Sequence, residues 1–152
     1  MLEILEETDQ KVIIWATYVH NINEIIKALS EKYGNDAVVS MFGATTVENR
    51  NTAVSRFQND PTCRFFVANP TTGGYGLTLT AAKYVIYYSN SYNLEVRRQS
   101  EDRAHRIGQK KNVVYIDIMA EETINDKIVQ ALKRKIELSV KTLGDNPRKW
   151  LI

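Results

Sequence analysis

The stretch Gln99-Ser-Glu-Asp-Arg-Ala-His-Arg-Ile-Gly-Gln109 concentrates arginine, acid, histidine and glutamine side chains within eleven residues. If the run is helical, Gln99, Arg103 and Arg106 fall at i, i+4 and i+7, which is one helix face. Two guanidinium groups that face the same way suit a phosphate chain, because each offers paired donors and a permanent charge. The alternative is a solvated helix face with internal ion pairs, such as Asp102 with Arg106.

Strand-like and helix-like patterns alternate on both sides of that stretch. Continuous apolar runs are typical of strands covered on both faces, and apolar residues at a helical period mark the segments between them. This alternation predicts parallel pairing with crossover helices, hence a three-layer α/β/α domain with a mostly parallel central sheet and a long C-terminal helix. The predicted strands are 11–16, 37–42, 63–68, 84–88 and 113–119, and the predicted helices are 21–33, 47–57, 94–107 and 123–143.

The composition is that of one globular domain, with 152 residues, 43% hydrophobic content and a net charge of +2. A charge this small permits nucleic-acid binding without arguing for it. The single cysteine, Cys63, excludes an internal disulfide and a cysteine-rich zinc site. His20 and His105 lack the clustered partners of a metal site, so we expect no metal. No apolar run approaches the roughly 18 residues that span a bilayer.

Three polar loops follow predicted strands, at 17–20, 43–46 and 69–76. In an open α/β sheet the carboxyl ends of the strands carry the binding loops, and the first two loops lead into helices whose free amides favour anions. The third loop is rich in glycine, so its backbone can approach a ligand closely. The chain contains no Gly-x4-Gly-Lys-Ser/Thr loop, so it does not cradle nucleotide phosphates in the P-loop manner.

Five segments in order resemble the second half of Swi/Snf-type superfamily-two DNA translocases. Gln99–Gln109 resembles their sixth helicase motif, Thr72–Ala82 their fifth, and Val12–Tyr18 the strand and loop of their fourth. Gly43–Thr46 is similar to the segment between the fourth and fifth motifs, and Thr123–Ile128 to the start of the closing helix. The resemblance covers residues 9–141 with family-like spacing. Its most specific part is Asp-Arg-Ala-His-Arg-Ile-Gly-Gln.

Four positions set the chain apart from the chromatin-remodelling members of that family, and two of them are Leu94, which replaces a Pro, and Ser89, which replaces an acid. Thr78 stands where those members usually carry Asn, and Tyr92 where they carry Trp. The stretch Asn90–Glu95 makes the chain closest in style to the compact bacterial and phage members.

The resemblance implies that this chain is the second of two RecA-like lobes that clasp ATP and Mg²⁺ between them. The first lobe would hold the nucleotide, so we expect this chain alone to bind no cofactor. The family's arginine fingers fall on Arg103 and Arg106, which are the expected catalytic residues. The nucleotide-side residues that the resemblance adds are Gln99 as a γ-phosphate sensor, Asp102 as a group that positions the arginines, Gly76 and Thr78.

The resemblance also implies a grip on the phosphate backbone of DNA, with duplex DNA as the expected partner. Backbone amides and hydroxyls in the loops would contact phosphates, which positions the DNA without reading its sequence. The residues that match are Thr17, Gly43, Ala44, Thr45, Thr72, Gly73, Gly74 and Thr80. Translocation along the duplex, rather than strand separation, is the activity that this branch suggests.

The same resemblance organises the chain into residues 1–8 as the end of a linking helix, 9–143 as the helicase C-terminal domain and 144–152 as a tail. Because the chain has no phosphate loop or acidic box, we expect it to be inactive as an ATPase without an N-terminal RecA-like lobe. A competing interpretation is a non-catalytic RecA-like module that binds DNA or a protein. We expect a monomer in the cytoplasm of a prokaryotic or phage-infected cell, with DNA and away from membranes.

Overall fold

A five-stranded sheet forms the middle of the computed structural model, which describes residues 1–72, 77–91, 93–106, 111–119 and 124–143. The strands are β1 (Val12–Trp15), β2 (Val38–Met41), β3 (Phe65–Ala68), β4 (Tyr84–Tyr87) and β5 (Val114–Asp117). Their order is β2-β3-β1-β4-β5, and neighbouring strands pair in parallel. The central strands β1 and β3 are buried at every position, as continuous apolar sequences predict.

Helices cover both faces of the sheet. They are α1 (Leu2–Glu6), α2 (Val19–Tyr33), α3 (Val47–Asn59), α4 (Leu94–Ala104) and α5 (Ile124–Leu143), and a 3-10 turn at Asn35–Ala37 precedes β2. On one face, Leu5 of α1 and Ile22 and Leu29 of α2 join a buried cluster with alternate strand residues such as Ile14 and Val67. This face is the first outer layer.

The opposite face is covered by α3 and α4. Phe57 of α3 and Ala104 of α4 belong to a second buried cluster with Ile13, Phe66 and Val85, the strand residues that point the other way. Helix α5 contacts α4. Within the described ranges no helix is both long enough and apolar enough to cross a membrane.

The three-layer α/β/α class, the parallel sheet and the long closing helix are confirmed. Three helix boundaries differ from the prediction, and one of them is the end of α3, which lies at Asn59 rather than at residue 57. Helix α2 begins at Val19 rather than at residue 21, because its first turn is exposed and apolar periodicity reports only the buried face. Helix α4 ends at Ala104 rather than at residue 107, and its C-cap His105 is extended, with φ −116° and ψ 92°.

Side-chain caps define the starts of the two helices on the α3/α4 face. Thr46 Oγ1 accepts a hydrogen bond from the Asn49 amide at 3.3 Å at the start of α3. Asn93 Oδ1 accepts from the amides of Glu95 and Val96 at 3.0 and 3.3 Å at the start of α4. Such caps satisfy amides that have no partner inside the helix.

Arg64, immediately before β3, fastens α1 and the segment after it to the sheet. Its guanidinium donates to the carbonyl oxygens of Leu5 at 2.6 Å and Gln10 at 3.2 Å, and also to that of Thr8. A cation at the carbonyl end of a helix satisfies free acceptors and complements the helix dipole. The expectation that residues 1–8 are a linking helix stays a prediction, and the expected tail 144–152 lies outside the described residues.

Candidate functional site

The loops that follow β1, β3 and β4 are joined to one another at the carboxyl edge of the sheet. The Thr17 amide donates to Ser89 Oγ at 2.8 Å, and Asn69 Nδ2 donates to the Thr17 carbonyl at 2.8 Å. The Thr17 hydroxyl is buried and has no hydrogen-bond partner in the described part of the chain. The edge therefore holds a hydrogen-bonded loop cluster that encloses one hydroxyl without a partner among the described residues.

The loop after β2 presents exposed backbone at the same edge. Its turn is closed by two bonds between Phe42 and Thr45: the Thr45 amide donates to the Phe42 carbonyl at 2.8 Å, and the Phe42 amide donates to Thr45 Oγ1 at 3.1 Å. Gly43 and Ala44 at its tip are exposed. A Cβ atom placed on Gly43 would meet no atom within 4 Å, so the space in front of this residue is open.

The segment between β3 and β4 carries the remaining predicted DNA contacts. The Thr72 amide donates to the Asn69 carbonyl at 3.1 Å, which places Thr72 beside the loop cluster of the carboxyl edge. Thr80 Oγ1 instead accepts from Gln58 Nε2, in the last turn of α3, at 3.1 Å. The structure thus groups Thr72 with Thr17 and does not bring Thr80 to them. Gly73, Gly74 and Gly76 lie outside the described residues.

Arg103, in the last turn of α4, is a buried arginine with an unpaired donor. Its residue surface is only 7% exposed, and its guanidinium carbon lies 5.3 Å from the centroid of the Trp15 ring. Within the described residues Nη1 has no hydrogen-bond partner. Burial lowers the pKa of this guanidinium below its ordinary value, against a smaller opposing effect of Tyr87. A buried, unpaired N–H donor of this kind suits an anionic oxygen.

Arg106 lies beyond the end of α4 and reaches the segment that precedes β4. Its Nη1 donates to Thr78 Oγ1 at 2.8 Å, and the Leu79 amide donates to the Arg103 carbonyl at 2.9 Å. The expectation that Arg106 shares a helix face with Arg103 is wrong, because the Leu79 amide occupies a free carbonyl where the helix stops. The structure nevertheless places Arg103, Arg106 and Thr78 side by side.

Gln99 and Asp102 are exposed side chains on α4. Gln99 Nε2 donates to Glu95 Oε1 at 3.0 Å, one turn back along the helix. Gln99 and Asp102 are thus exposed, whereas Arg103 on the same helix is buried.

A second buried arginine on α4, Arg97, was missed by sequence reasoning. It is 3% exposed and forms ion pairs with Glu101 at 2.9 Å and with Asp117 at 2.6 Å. Burial lowers the pKa of Arg97, but Tyr87, Asp117 and Glu101 more than offset this effect and hold it above the ordinary value. The one available signal was the Arg97–Glu101 spacing of i, i+4, which is equally typical of a solvated helix.

Histidine, cysteine and carboxylate side chains do not gather into a metal site in the ranges that the structure describes. Cys63 is buried, and burial raises the pKa of its thiol.

Comparison with known proteins gives one matching family. The helicase conserved C-terminal domain matches residues 1–108 of this chain. An uncharacterized ATP-dependent helicase of Mycoplasma genitalium is 36% identical over 140 residues, which cover 92% of this chain and 13% of that protein. The chromatin-remodeling ATPase INO80 of Candida albicans is 35% identical over 113 residues, 74% of this chain and 8% of that protein. The chain thus spans a small part of either relative.

Two solved structures share the fold. The C-terminal part of the Fun30 ATPase domain superposes with a TM-score of 0.74 at 29% identity, covering 85% of this chain and 41% of that one. The Sulfolobus solfataricus SWI2/SNF2 ATPase core in complex with dsDNA superposes with a TM-score of 0.72 at 30% identity, covering 95% of this chain and 31% of that one. Both neighbours are ATPase structures, and the second is the core of a SWI2/SNF2 ATPase.

Proposed function

This chain belongs to the helicase conserved C-terminal domain family, in its Swi2/Snf2-type branch, and from this we propose that it is the second motor lobe of an ATP-dependent DNA translocase. Its partner is an N-terminal RecA-like lobe, in the same polypeptide or a separate subunit, that holds ATP and Mg²⁺. Duplex DNA is the proposed track, since the similar Sulfolobus core is a complex with dsDNA.

The observation that carries the proposal is the buried, unpaired Nη1 of Arg103. An unsatisfied donor away from water is unfavourable by about 1–3 kcal/mol, so its presence in a folded domain requires an explanation. A phosphate oxygen from the other lobe would satisfy it. Arg106 Nη1 donates to Thr78 Oγ1 at 2.8 Å, on the segment next to the end of α4. A second cation therefore lies beside Arg103.

Arg103 and Arg106 act as arginine fingers in this proposal. Both remain cationic throughout and neutralise the charge that develops on the transferring phosphoryl group. Such a finger contributes roughly a thousand- to a hundred-thousand-fold in rate. That range corresponds to about 4–7 kcal/mol of barrier. ATP with Mg²⁺, held by the first lobe, supplies the phosphoryl group, while Gln99, Asp102, Thr78 and Gly76 remain proposed neighbours on the nucleotide side.

The carboxyl edge of the sheet is the proposed DNA grip. Gly43 and Ala44 are exposed at an open position, so a phosphate group can approach their amides closely. Thr17 offers a hydroxyl that has no partner in the described residues. Contacts through amides and hydroxyls would hold one DNA strand without reading bases. Thr45, Thr72, Gly73 and Gly74 complete the proposed set, and Thr80, whose hydroxyl accepts from Gln58, is a sequence-predicted contact that lies apart from it.

Hydrolysis by the two-lobed enzyme tests the fingers. Arg103→Ala and Arg106→Ala are each expected to reduce DNA-stimulated ATP hydrolysis by at least about a thousandfold while DNA affinity stays within about twofold of wild type. Arg98→Ala, on the same helix but half-buried, is the matched control and should keep its turnover. Retention of full hydrolysis by both finger variants would favour the non-catalytic binding module instead.

The chain without its partner lobe gives a second test. We expect the purified chain to release no phosphate from ATP above background in a malachite-green assay, with or without duplex DNA. The reason is that it contains no phosphate loop to hold the nucleotide. Robust turnover by this chain alone would contradict the division of labour between two lobes.

A further inference from the structure

A buried polar network joins α4 to the carboxyl ends of β4 and β5. Arg97 Nη1 and Nη2 donate to Asp117 Oδ1 and Oδ2 at 2.6 and 3.0 Å, and Arg97 Nε donates to Glu101 Oε1 at 2.9 Å. Asn90 accepts from Arg97 Nη1 at 2.7 Å and donates to Asp117 Oδ1 at 2.9 Å. The paired geometry with Asp117 fixes the plane of the guanidinium as well as its position.

The face of the same guanidinium is fixed by an aromatic ring. The Arg97 guanidinium carbon lies 3.3 Å from the ring centroid of Tyr87, which is a stacking contact. The Tyr87 hydroxyl hydrogen-bonds Ser100 Oγ at 2.6 Å, and Ser100 Oγ donates to the Arg97 carbonyl at 2.7 Å. Tyr87 and Asp117 are register partners at the ends of adjacent strands. One turn of α4 is therefore held by two strands at once.

Stability alone does not account for this arrangement. The network buries the cation of Arg97 with two carboxylates, those of Glu101 and Asp117, and apolar side chains of similar volume often stabilise a core equally well or better. Directional hydrogen bonds, unlike apolar contacts, fix a single orientation of the helix relative to the sheet. Helix α4 carries Arg103, six residues after Arg97, and the Arg103 carbonyl is bonded by the Leu79 amide. A rotation of α4 would therefore move Arg103.

We propose that Arg97 is a positioning residue: its bonds to Asp117 and Glu101, and its stacking on Tyr87, set the rotation of α4 so that Arg103 faces the nucleotide side of the lobe. The inference rests on the proposed finger role of Arg103. Arg97 itself does not contact the nucleotide. It is 3% exposed and its fork is occupied by Asp117.

Turnover in the two-lobed enzyme separates positioning from packing. Arg97→Lys keeps the charge and removes the paired fork, and we expect kcat to fall by about a hundredfold, since a displacement of about 1 Å has that effect. The KM for ATP and the affinity for DNA should change little. Arg98→Lys, the next residue on α4, is the control and should turn over as wild type. An Arg97→Lys enzyme with wild-type kcat would overturn the proposal.

An apolar replacement guards against a variant that merely fails to fold. Arg97→Met with Glu101→Leu and Asp117→Leu removes all three charges together, so that none of these three groups stays buried without its partner. We expect a folded protein whose kcat is again about a hundredfold low. Wild-type kcat in this folded triple variant would overturn the inference. Arg103→Ala distinguishes the two proposals: if it too hydrolyses ATP normally, the finger assignment fails, whereas if it alone is inactive, only the positioning role fails.

The fluorescence of Trp15 provides a readout in this chain without any partner. The chain has two tryptophans, and Trp150→Phe leaves Trp15, whose ring contacts the Arg103 guanidinium, as the single reporter. In that background we expect Arg97→Lys to shift Trp15 emission and to raise its quenching by acrylamide at least twofold, while Arg98→Lys does neither. Unchanged emission and quenching in Arg97→Lys would show that α4 keeps Arg103 in place without the network, against the proposal.

Discussion

The two buried arginines of α4 should respond to one and the same substitution with opposite changes in stability. Arg97 and Arg103 are 3% and 7% exposed, so Arg97→Met and Arg103→Met exchange similar side chains in similarly dry surroundings. Arg97 donates to two carboxylates, whereas Nη1 of Arg103 has no partner in the described residues. The pKa directions agree with this contrast, because ionic partners hold that of Arg97 up and burial brings that of Arg103 down.

The magnitudes follow from what each substitution leaves behind. Arg97→Met leaves Glu101 and Asp117 buried without their cation, and breaking a buried ion pair in this way is destabilising by about 3–5 kcal/mol. Arg103→Met removes an unsatisfied buried donor, which is favourable by about 1–3 kcal/mol. It also removes a cation–π contact with Trp15 that is worth about 0.5–2 kcal/mol. The net effect is stabilisation by about 1 kcal/mol, since methionine keeps an apolar contact with the ring.

Thermal unfolding of the chain, followed by circular dichroism, measures both variants. For a domain of this size about 1 kcal/mol corresponds to a midpoint shift of about 2–4 °C. We therefore expect Arg103→Met to unfold about 2–4 °C above wild type and Arg97→Met about 6–20 °C below it. Equal losses in the two variants would refute the reasoning, because they would mean that Arg103 is satisfied in the folded chain and is no more available to a ligand than Arg97.

Three smaller predictions concern the cap, the thiol and the open loop. Asn93→Ala should lower the free energy of unfolding in urea by about 1 kcal/mol, and Asn93→Ser, which keeps an acceptor at the start of α4, should recover most of it. Cys63 should resist a disulfide-exchange reagent in native buffer and react at once in urea, because burial raises its pKa; rapid native labelling would contradict this. Gly43→Ala should leave the unfolding midpoint unchanged, because a Cβ atom at this position meets no other atom within 4 Å. It should nevertheless weaken DNA binding by the two-lobed enzyme by roughly two- to tenfold, the equivalent of one hydrogen bond. Unchanged DNA affinity would show that Gly43 is not part of the proposed DNA grip.

The layers of the fold were predictable because a strand that is buried on both faces has a continuously apolar sequence. A strand such as β1, flanked by β3 and β4 and covered on both sides, has no solvent-facing position, so its sequence Val-Ile-Ile-Trp is apolar throughout. The helices likewise show the period of their buried face, as Ile22, Ile25 and Leu29 do in α2. An exposed helix turn shows no such apolar period, and for this reason the sequence predicts a start of α2 that is later than the observed one at Val19.

The residues of the candidate site are named from the sequence alone and stay a prediction, whereas their geometry could not be predicted. The sequence predicts a continuous helix from Gln99 onward, because no sequence pattern indicates that the Leu79 amide bonds the Arg103 carbonyl at the end of α4. The burial of Arg97 could not be predicted for a related reason, since its main partner Asp117 lies twenty residues away on a strand. Charged residues on a helix are usually solvated, so a buried network is visible only when tertiary structure brings both ends together.

On the proposed function, an unpaired donor would favour closure of this lobe on its partner. In the chain alone, Arg103 Nη1 is withdrawn from water and has no acceptor within the residues that the structure describes. On the proposed function, closure over the nucleotide gives that donor an anionic oxygen, and the gain belongs to the closed state alone. A ligand shifts a two-state equilibrium only by its difference in affinity for the two states, and a donor that is satisfied in one of them supplies such a difference. Once phosphate has left, Arg103 is again unpaired and the open arrangement regains its advantage. The same atom that makes the isolated lobe less stable would thus link phosphate binding to lobe movement, which is why stability and turnover are expected to move in opposite directions in Arg103→Met.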